Sequence, residues 1–396
     1  MIGRTSAGAP PSWADARRIL AIRLDAMGDV LMTTPALRAI RATRPDAHLA
    51  LLTSPAGAPV ARLIPELDET IVYEAPWLKP LPDGGPSASR DLAFISELSA
   101  RRFDAAVIFT VHSQSALPAA LACHLAAIPL RLAHVRENPY HLITDWVPEP
   151  EPDAPIRHEV RRQLDLVASV GYGTEDEHLS VRVPPDDARR VRTLVAGLGL
   201  GEGPWLVAHP GASAPSRRYP AEGYIRALGT LAREDGWRVV VTGGHDEIDL
   251  AEDVRAGIGE GAVSLAGQLS VGELSALLAL APMLVANNTG PVHLAAAVGT
   301  PVVVLYALTN LQHTPWSVPS RVLSHDVPCK GCRKSVCPLE HNNCLRMVAP
   351  DAIVGAVRDL ATEVRIADYG RGGAVAQTGP QRPPVLTPSP VAAPRA

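Results

Sequence analysis

The sequence lacks a long uninterrupted apolar run. The strongest candidate for a membrane span, residues 116–130, is broken by Pro118, His124 and Pro129, whereas a spanning helix needs about 20 mostly apolar residues. Residues 1–18 lack the apolar stretch of a secretory signal. We therefore expect no membrane-spanning segment and a protein that stays in the cytosol.

An excess of positive charge is also missing. Lys and Arg number 37 against 41 Asp and Glu, which gives a formal net charge of −4. Proteins that bind nucleic acids are usually basic, so we predict no nucleic-acid partner. Local groups such as Arg38, Arg41 and Arg44 fit either a solvated helix face or a contact with an acidic substrate or lipid head group.

Cysteine is scarce, with five residues in the chain, and four of them fall within residues 329–344. An odd and clustered set argues against an extracellular disulfide framework. The first pair of the cluster has the CxxC spacing of zinc or iron–sulfur ligands, to which His325 and His341 could add. Reduced thiols or a redox-labile pair are the alternatives, and we predict neither a catalytic metal nor a cofactor. The four clustered residues are Cys329, Cys332, Cys337 and Cys344.

What the sequence does contain is enough apolar material for two packed domains, at 46% of 396 residues. Both ends are rich in Gly, Pro, Ala and Ser, so we expect disordered segments at residues 1–16 and 366–396. Composition changes at VRVPPDD, where two adjacent prolines suit a stiff connection. We predict one domain over residues 17–183 and a second over residues 184–365.

Between the ends, short apolar runs alternate with longer amphipathic ones, which indicates an α/β fold. The pattern favours two Rossmann-like units that face each other across a cleft, with ligands bound beyond the carboxyl ends of the strands. A helix after Asp29 should carry Leu31, Leu37 and Ile40 inward and end before Pro45. The other predicted elements are strands at 19–24, 48–52, 105–109, 205–209, 238–242, 263–265, 283–286 and 302–306, and helices at 158–171, 221–234, 248–257, 271–280 and 291–298.

The clearest candidate loop is NNTGPV, which starts at Asn287. It delivers Asn288 and Thr289 to the cleft, turns at Gly290, and places Pro291 at a helix start, where proline is favoured. Free backbone N–H groups and the positive end of the helix dipole then face the cleft, which suits a phosphate. An ordinary capped helix is the alternative interpretation.

A second loop of the same half, HPGASAPSRRYP, follows the strand predicted at residues 205–209. It carries Ser213, Arg217 and Arg218. Guanidinium groups pair well with phosphate oxygens, so this loop is predicted to contact the phosphates of a donor.

A third loop, VTGGHDEID, turns at Gly243 and then opens a helix with acids. Asp246 or Glu247 could bind ribose hydroxyls. Acids in a first helical turn are also plain partners of the helix dipole.

In the first half the corresponding loop is DAMGD, residues 25–29. Asp29 is predicted to point across the cleft, where a carboxylate can accept the proton of an attacking alcohol; helix capping is the alternative. The loop is not GxGxxG, which disfavours a nicotinamide-dependent dehydrogenase. After a further strand, His112, Ser113 and Gln114 are candidates for binding sugar hydroxyls or an acceptor phosphate.

Together these segments resemble glycosyltransferase family 9, the ADP-heptose:lipopolysaccharide heptosyltransferase family, over roughly residues 17–360. The order and spacing of the segments carry the resemblance. The matching runs are ILAIRLDAMGDVLMTTPALRAIRATRPDAHLALL at 19–52, FDAAVIF at 103–109, HEVRRQLDLVASVG at 158–171, HPGASAPSRRYPAEGY at 209–224, VVVTGGHDE at 239–247 and NNTGPVHLAAAVGTPVVVLY at 287–306.

The resemblance implies a GT-B fold that holds the acceptor on the first domain and the donor on the second. It implies inverting, metal-independent transfer of a heptose from a nucleotide-sugar donor to a lipid-linked, lipopolysaccharide-core saccharide, at the cytoplasmic face of the inner membrane. By the same resemblance Asp29 is the general base, Arg217 contacts the donor diphosphate and Asp246 binds the ribose. The donor-loop residues of the family correspond to Thr289, Gly290 and His293.

One departure concerns the donor loop, where Asn288 replaces the aspartate of the best-known heptosyltransferases. An amide and a carboxylate differ in hydrogen-bonding capacity, so the sugar stays open. A nucleotide-sugar binding protein without catalysis and a GT-B-type sugar-nucleotide epimerase are the alternatives.

Overall fold

The computed structural model describes residues 12–78, 87–201 and 203–364, in which two parallel β-sheets are each flanked by helices. The first sheet has the strand order β3-β2-β1-β4-β5-β6. Its strands are β1 (Arg18–Arg23), β2 (His48–Thr53), β3 (Glu69–Val72), β4 (Ala105–Ile108), β5 (Leu130–Val135) and β6 (Asp145–Pro148).

The second sheet has the order β12-β11-β10-β7-β8-β9 and is also parallel throughout. The expected α/β architecture with two Rossmann-like sheets is confirmed. Its strands are β7 (Trp205–His209), β8 (Arg238–Val241), β9 (Ala262–Ser264), β10 (Leu284–Asn287), β11 (Val302–Leu305) and β12 (Ser320–Leu323).

Helices cover the faces of both sheets. None of those in the described ranges has the length and apolar character needed to cross a membrane. The helices of the first half are α1 (Met27–Thr43), α2 (Ala58–Ala61), α3 (Ala88–Ala100), α4 (Leu117–Leu125) and α5 (Glu159–Ala168). They are followed by α6 (Pro185–Gly197), α7 (Ala221–Asp235), α8 (Ile248–Ile258), α9 (Val271–Leu280), α10 (Gly290–Val298), α11 (Asn343–Arg346) and α12 (Pro350–Glu363).

The central strands are apolar runs because both of their faces are covered, as parallel sheets require. In β4, β7, β10 and β11 every residue is buried. The helix after Asp29 has the predicted inward face, with Leu31, Leu37 and Ile40 buried, and it ends before Pro45.

The sequence misplaced two stretches of chain. Residues 12–16 were expected in the disordered N-terminal segment, but Trp13 is buried against Tyr172, whose hydroxyl donates to the Trp13 carbonyl at 2.8 Å. The prolines expected to form a stiff connection instead start a helix, with Pro184 as N-cap and Pro185 as the first residue of α6. The rest of the terminal segments, residues 1–11 and 366–396, lies outside the described residues, so those predictions stay open.

The two sheets are brought together by the N-terminal ends of α1 and α10. A Cβ on Gly28 of α1 would lie 2.8 Å from the Cδ2 atom of His293, and a Cβ on Gly290 of α10 would lie 2.3 Å from the Cε atom of Met27. Each helix therefore has a glycine where the other approaches it most closely. This crossing places the ends of β1 and β10 on either side of one cavity.

Candidate active site

A cavity of about 200 Å³ opens between the two domains at the crossing of α1 and α10. Both chain halves line it, and the carboxyl ends of β1 and β10 lead into it. This is the position at which α/β sheets bind ligands. The lining residues are Ala26, Met27, Gly28, Asp29, Met32, Ala56, Ser213, Arg217, Asn288, Thr289, Gly290, Pro291, His293 and His313.

Asp29 lies in the first turn of α1, but it does not cap the helix. The N-cap is Ala26, which makes no side-chain capping bond, and the Asp29 Oδ1 atom instead accepts from the Nη2 atom of Arg23 at 3.1 Å. The capping alternative is therefore wrong. The Asp29 side chain keeps 21% of its surface exposed, toward the cavity that it lines.

Arg23, at the end of β1, is fully buried and binds three carboxylates at once. Its Nε atom lies 2.8 Å from Asp25 Oδ2, its Nη1 atom 2.9 Å from Glu159 Oε1, and its Nη2 atom contacts Asp29. Burial favours the neutral guanidinium, but these carboxylates raise the pKa of Arg23 above its ordinary value. The buried guanidinium of Arg23 thus holds the carboxylate of Asp29 in place at the cavity wall.

The electrostatics of this cluster leave Asp29 more basic than an ordinary aspartate. Burial raises the pKa of Asp29 against the opposing charge of Arg23, and the nearby Glu159 raises it further. Burial alone would raise the pKa of Glu159 too, but Arg23 and Arg162 outweigh it and keep that carboxyl ionised. A half-buried carboxylate with a raised pKa and access to a cavity can accept a proton from a bound alcohol.

On the opposite wall, the loop after β10 is fixed by Asn287. Its fully buried amide accepts from the backbone N–H of Tyr219 at 3.1 Å and donates to the carbonyl of Pro210 at 2.6 Å. These bonds tie the end of β10 to the loop after β7. Asn288, also buried, then faces the cavity, followed by Thr289 as N-cap of α10.

The start of α10 has the expected form for binding an anion. Thr289 makes no side-chain capping bond, Gly290 and Pro291 form the first turn, and the helix ends at Val298 before Gly299, which has a φ of 81°. The start of this helix and the positive end of its dipole lie at the cavity wall, which suits an anion.

Arg217 supplies a cation to the same wall. It ends a short 3-10 turn in which the buried Ser216 donates from its Oγ atom to the carbonyl of Lys334 at 2.7 Å. The Asn310 side-chain amide donates to the carbonyl of Thr309 at 3.0 Å, and its oxygen accepts from the Arg217 Nη2 atom at 2.9 Å. Arg218 is exposed and its Nε atom donates to the carbonyl of Ala212 at 2.6 Å, so only one of the two predicted arginines lines the cavity.

Two buried histidines complete the wall. Burial lowers the pKa of His293 well below its ordinary value and that of His313 to about 4, so both rings are neutral near pH 7. The Nδ1 atom of His293 and the Nε2 atom of His313 find no hydrogen-bond partner within the described part of the chain. Buried polar atoms are normally satisfied by protein or by ordered water, so both nitrogens can form a hydrogen bond with water or with a polar ligand.

The other predicted donor residues lie farther along the second sheet. Gly243 and Asp246 follow β8, which is the neighbour of β7 on the side away from β10. Asp246 is exposed, whereas Glu247 folds back and accepts from the backbone N–H of Gly244 at 2.9 Å. Neither Gly243 nor Asp246 lines the interdomain cavity, and their contact with a donor stays a prediction.

The predicted acceptor residues line a separate polar cavity of about 160 Å³ on the first domain. His112, Ser113 and Gln114 all reach it. The His112 Nε2 atom lies 3.3 Å from the Nη1 atom of Arg333, which comes from the second domain. The Gln114 Nε2 atom donates to Asp25 Oδ1 at 2.7 Å, which connects this cavity with the Arg23 cluster.

The cysteine cluster lies in the same segment of the second domain as Arg333. The four cysteines are half-buried free thiols, and among the described residues no group of three or more His, Cys, Asp or Glu side chains is arranged to hold a metal ion. Their segment also positions neighbours, because the backbone of Arg333 donates to Thr309 and that of Ser216 donates to Ser335. A structural metal at the four thiols stays a prediction.

Sequence reasoning missed three residues of this region: Arg23, His313 and Arg333. A signal existed for Arg23, since an arginine inside the apolar run ILAIRL has to find buried partners. His313 and Arg333 lie in irregular segments without a motif, and only the fold brings them to the cavities.

Comparison with known proteins agrees with this architecture. The sequence profile of glycosyltransferase family 9 (heptosyltransferase) matches residues 92–343, more than half of the chain. Lipopolysaccharide heptosyltransferase 3 of Escherichia coli is 25% identical over 305 residues, which are 73% of this chain and 84% of the relative.

Two solved structures show the same GT-B fold. The glycosyl transferase family 9 protein of Veillonella parvula superposes with a TM-score of 0.71 at 18% identity, over 88% of this chain and 97% of its own. The E. coli ADP-heptose lps heptosyltransferase II gives a TM-score of 0.67 at 20% identity, over 88% and 99%. With its two facing parallel sheets and its profile match, the chain belongs to glycosyltransferase family 9 and is a glycosyltransferase.

Proposed function

We propose that the protein transfers a heptose, or a closely related sugar, from ADP-heptose to a lipopolysaccharide-core or related glycan acceptor, with inversion at the anomeric carbon. One observation carries the proposal: Asp29 of the first domain and Arg217, Thr289, Gly290 and His293 of the second line one cavity. A base and an anion-binding wall therefore face each other across a space open to a ligand.

In the proposed reaction the acceptor hydroxyl oxygen attacks the anomeric carbon of the donor. Asp29 takes the hydroxyl proton as the new C–O bond forms. The bond between the anomeric carbon and the diphosphate oxygen breaks on the opposite face, and ADP leaves with the bonding electron pair. Inversion follows from this single displacement.

The departing diphosphate needs positive charge, and the chain itself offers it. The Arg217 guanidinium and the start of α10 lie on the cavity wall, and such preorganised donors stabilise developing negative charge. We propose that transfer proceeds without a divalent cation. Activity that persists in excess EDTA supports this proposal, and activity restored only by an added divalent cation contradicts it.

The nucleoside is proposed to extend from this cavity over the second sheet. Ser213 lies on the cavity wall, and the strand order β10-β7-β8 leads from there to Gly243 and Asp246. The exposed carboxylate of Asp246 is proposed to accept hydrogen bonds from the ribose hydroxyls. The acceptor is proposed to lie on the first domain near His112, Ser113 and Gln114, in a reaction at the cytoplasmic face of the inner membrane.

The test is transfer from ADP-heptose to a panel of glycan acceptors, with nucleotide release and the coupled product both measured. Asp29→Asn should lower turnover by about 10²- to 10⁴-fold, the usual contribution of a general base, while ADP affinity is kept. Asp186→Asn, an exposed carboxylate on α6, is the matched control.

The outcomes also separate the alternatives. Binding without product for every acceptor favours a nucleotide-sugar binding protein, and conversion of a nucleotide sugar without acceptor favours an epimerase. An Asp29→Asn variant that transfers at the parent rate removes the base assignment.

A further inference from the structure

A third cavity, of about 280 Å³, lies on the first domain where β1 and β4 end. Its walls have two different characters. One wall is apolar and includes Leu24, Trp77 and Phe109. The other edge is polar and is formed by Asp25, Gln114 and Ser115.

This apolar cavity is linked to the reaction centre through the side chain of Arg23. Asp25 on its edge and Asp29 in the interdomain cavity are held by the same guanidinium, that of Arg23, at 2.8 and 3.1 Å. A ligand that is hydrogen-bonded to Asp25 is therefore separated from Asp29, the proposed base, by the Arg23 side chain. The cavity also shares Gln114 and Ser115 with the polar cavity beside His112.

The aromatic wall is held in place although it is accessible. Trp77 keeps 37% of its surface exposed, and its ring lies 6.1 Å from that of Tyr73 at an interplanar angle of 60°. Tyr73 in turn stacks on Phe94 at 3.8 Å and donates from its hydroxyl to Asp91 at 2.8 Å. An exposed indole on such a support is a preformed flat surface.

The polar edge is also held by hydrogen bonds, and its oxygen atoms can accept further hydrogen bonds. Asp25 accepts a hydrogen bond from Gln114 and forms an ion pair with Arg23, whereas a carboxylate has about four lone-pair sites. The Ser115 hydroxyl donates to Glu137 at 2.7 Å and accepts from the backbone N–H of Leu117 at 3.2 Å. A hydroxyl oxygen has two lone pairs, so one remains to accept from a ligand. Ligand hydroxyl groups can therefore donate to this edge.

We propose that this cavity binds a neutral pyranose ring of the acceptor, with its C–H face on Trp77 and its hydroxyls toward Asp25, Gln114 and Ser115. An apolar wall with a few convergent polar groups fits a sugar ring. Ligand pockets start at about 300 Å³, so the volume suits one ring. An acyl chain would leave the polar edge unsatisfied.

Charge decides between neutral and acidic sugars. The described residues that line the cavity include the carboxyl group of Asp25 and no Lys, Arg or His. Among the described lining residues an anionic ring would find no cation, and it would meet that carboxyl group. The inference rests on the proposed function, because it assigns the cavity to the acceptor of that reaction.

The experiment measures binding and transfer separately. Saturation-transfer NMR on the full chain compares methyl α-D-mannoside and methyl β-D-glucoside with methyl β-D-glucuronide, which differs from the glucoside by its carboxylate. We expect the neutral rings to bind at least about tenfold more tightly than the uronide, a difference of about 1.4 kcal/mol. Saturation should reach the C–H protons of the ring.

Trp77→Ala should weaken neutral-pyranoside binding by about tenfold and raise the acceptor KM in transfer, with ADP affinity unchanged. Trp77→Phe, which keeps a smaller ring, should bind neutral pyranosides with an affinity between those of the parent and Trp77→Ala. Tyr140→Ala is the control, because this exposed aromatic residue lies outside all three cavities. Thermal unfolding of each variant verifies that the fold is kept.

The proposal is overturned if no methyl pyranoside binds at millimolar concentration, if the glucuronide binds as well as the glucoside, or if Trp77→Ala leaves binding unchanged. Binding of an octyl chain in place of the sugars also overturns it. Trp77-dependent sugar binding without transfer to any acceptor would instead contradict the proposed function, while binding of a neutral pyranose in this cavity would stand.

Discussion

At the scale of single residues, Arg217 and Arg218 are neighbours in one loop, yet only Arg217 lines the interdomain cavity. Arg217→Ala should weaken ADP binding by about tenfold to a hundredfold, since a hydrogen bond to a charged group contributes about 1.5–3 kcal/mol. Isothermal titration with ADP measures the loss. Arg218→Ala is the matched control and should bind ADP nearly as the parent does, and equal losses in the two variants would refute the placement of the diphosphate.

Asp29 allows a prediction about pH. A base must be deprotonated, so transfer is lost as the pH falls through its pKa. Because burial raises the pKa of Asp29, the acid limb of kcat/KM should lie above the value of about 3.9 for an ordinary aspartate. The pKa read from this acid limb belongs to the interacting carboxyl groups around Arg23 together, and not to Asp29 alone.

Initial-rate measurements across the acid range test this prediction, and tryptophan fluorescence at each pH verifies that the enzyme stays folded. A kcat/KM that is flat down to the ordinary aspartate range would show that Asp29 is not perturbed as proposed.

At the scale of elements, the close crossing of α1 and α10 depends on Gly28. A Cβ there would lie 2.8 Å from His293, so Gly28→Ala should push the two helix starts apart. Misplacement of about 1 Å between reacting groups can cost about 10²-fold in rate. We expect a loss of kcat of that order, measured by ADP release.

The control for this crossing is Gly355→Ala in α12, where an added Cβ meets nothing within 4 Å. It should keep full activity and gain about 0.5–1 kcal/mol in the free energy of unfolding, because alanine is the better helix former. Equal activity in both variants would mean that the crossing does not set the geometry of the site.

Local sequence patterns predicted the strands and the helix that form the site, but not the long-range side-chain contacts that set its electrostatics. Apolar runs predicted β7 and β10, and NNTGPV predicted the start of α10, because period and turn chemistry are local properties. The bond from Arg23 to Glu159 spans 136 positions, and no local pattern specifies such a partner. The helix α6 was missed because its paired prolines indicated a connection, although proline is also favoured in a first helical turn.

At the scale of the whole molecule, the domains are also joined where the start of α5 meets residues 312–316. The His158 Nε2 atom donates to the carbonyl of Thr314 at 2.9 Å, and its Nδ1 atom accepts from the backbone N–H of Val160 at 3.2 Å. The backbone N–H of Glu159 donates to the carbonyl of Gln312 at 3.0 Å. Because Nδ1 is an acceptor, the ring has to be neutral in this arrangement.

This contact makes stability depend on pH with a definite sign. Burial lowers the pKa of His158 to about 4, whereas in the unfolded chain it is about 6.5. As the pH falls from 6.5 toward 4, the unfolded chain takes up the proton first, so the stabilising contribution is present above about 6.5 and is lost below it. Between pH 7 and pH 5 the free energy of unfolding should fall by about 1–2 kcal/mol from this group.

The variant that isolates this effect is His158→Asn, which keeps an acceptor for the helix start but has no ring to protonate. Urea unfolding at pH 7 and pH 5 should show lower stability at pH 7 and a smaller drop on acidification than in the parent. His124→Asn, at an exposed position on α4, should retain the full parental drop. Since His158 joins the domain that carries Asp29 to the one that carries Arg217, an unchanged pH dependence in His158→Asn would mean that this contact does not hold the two halves of the site together.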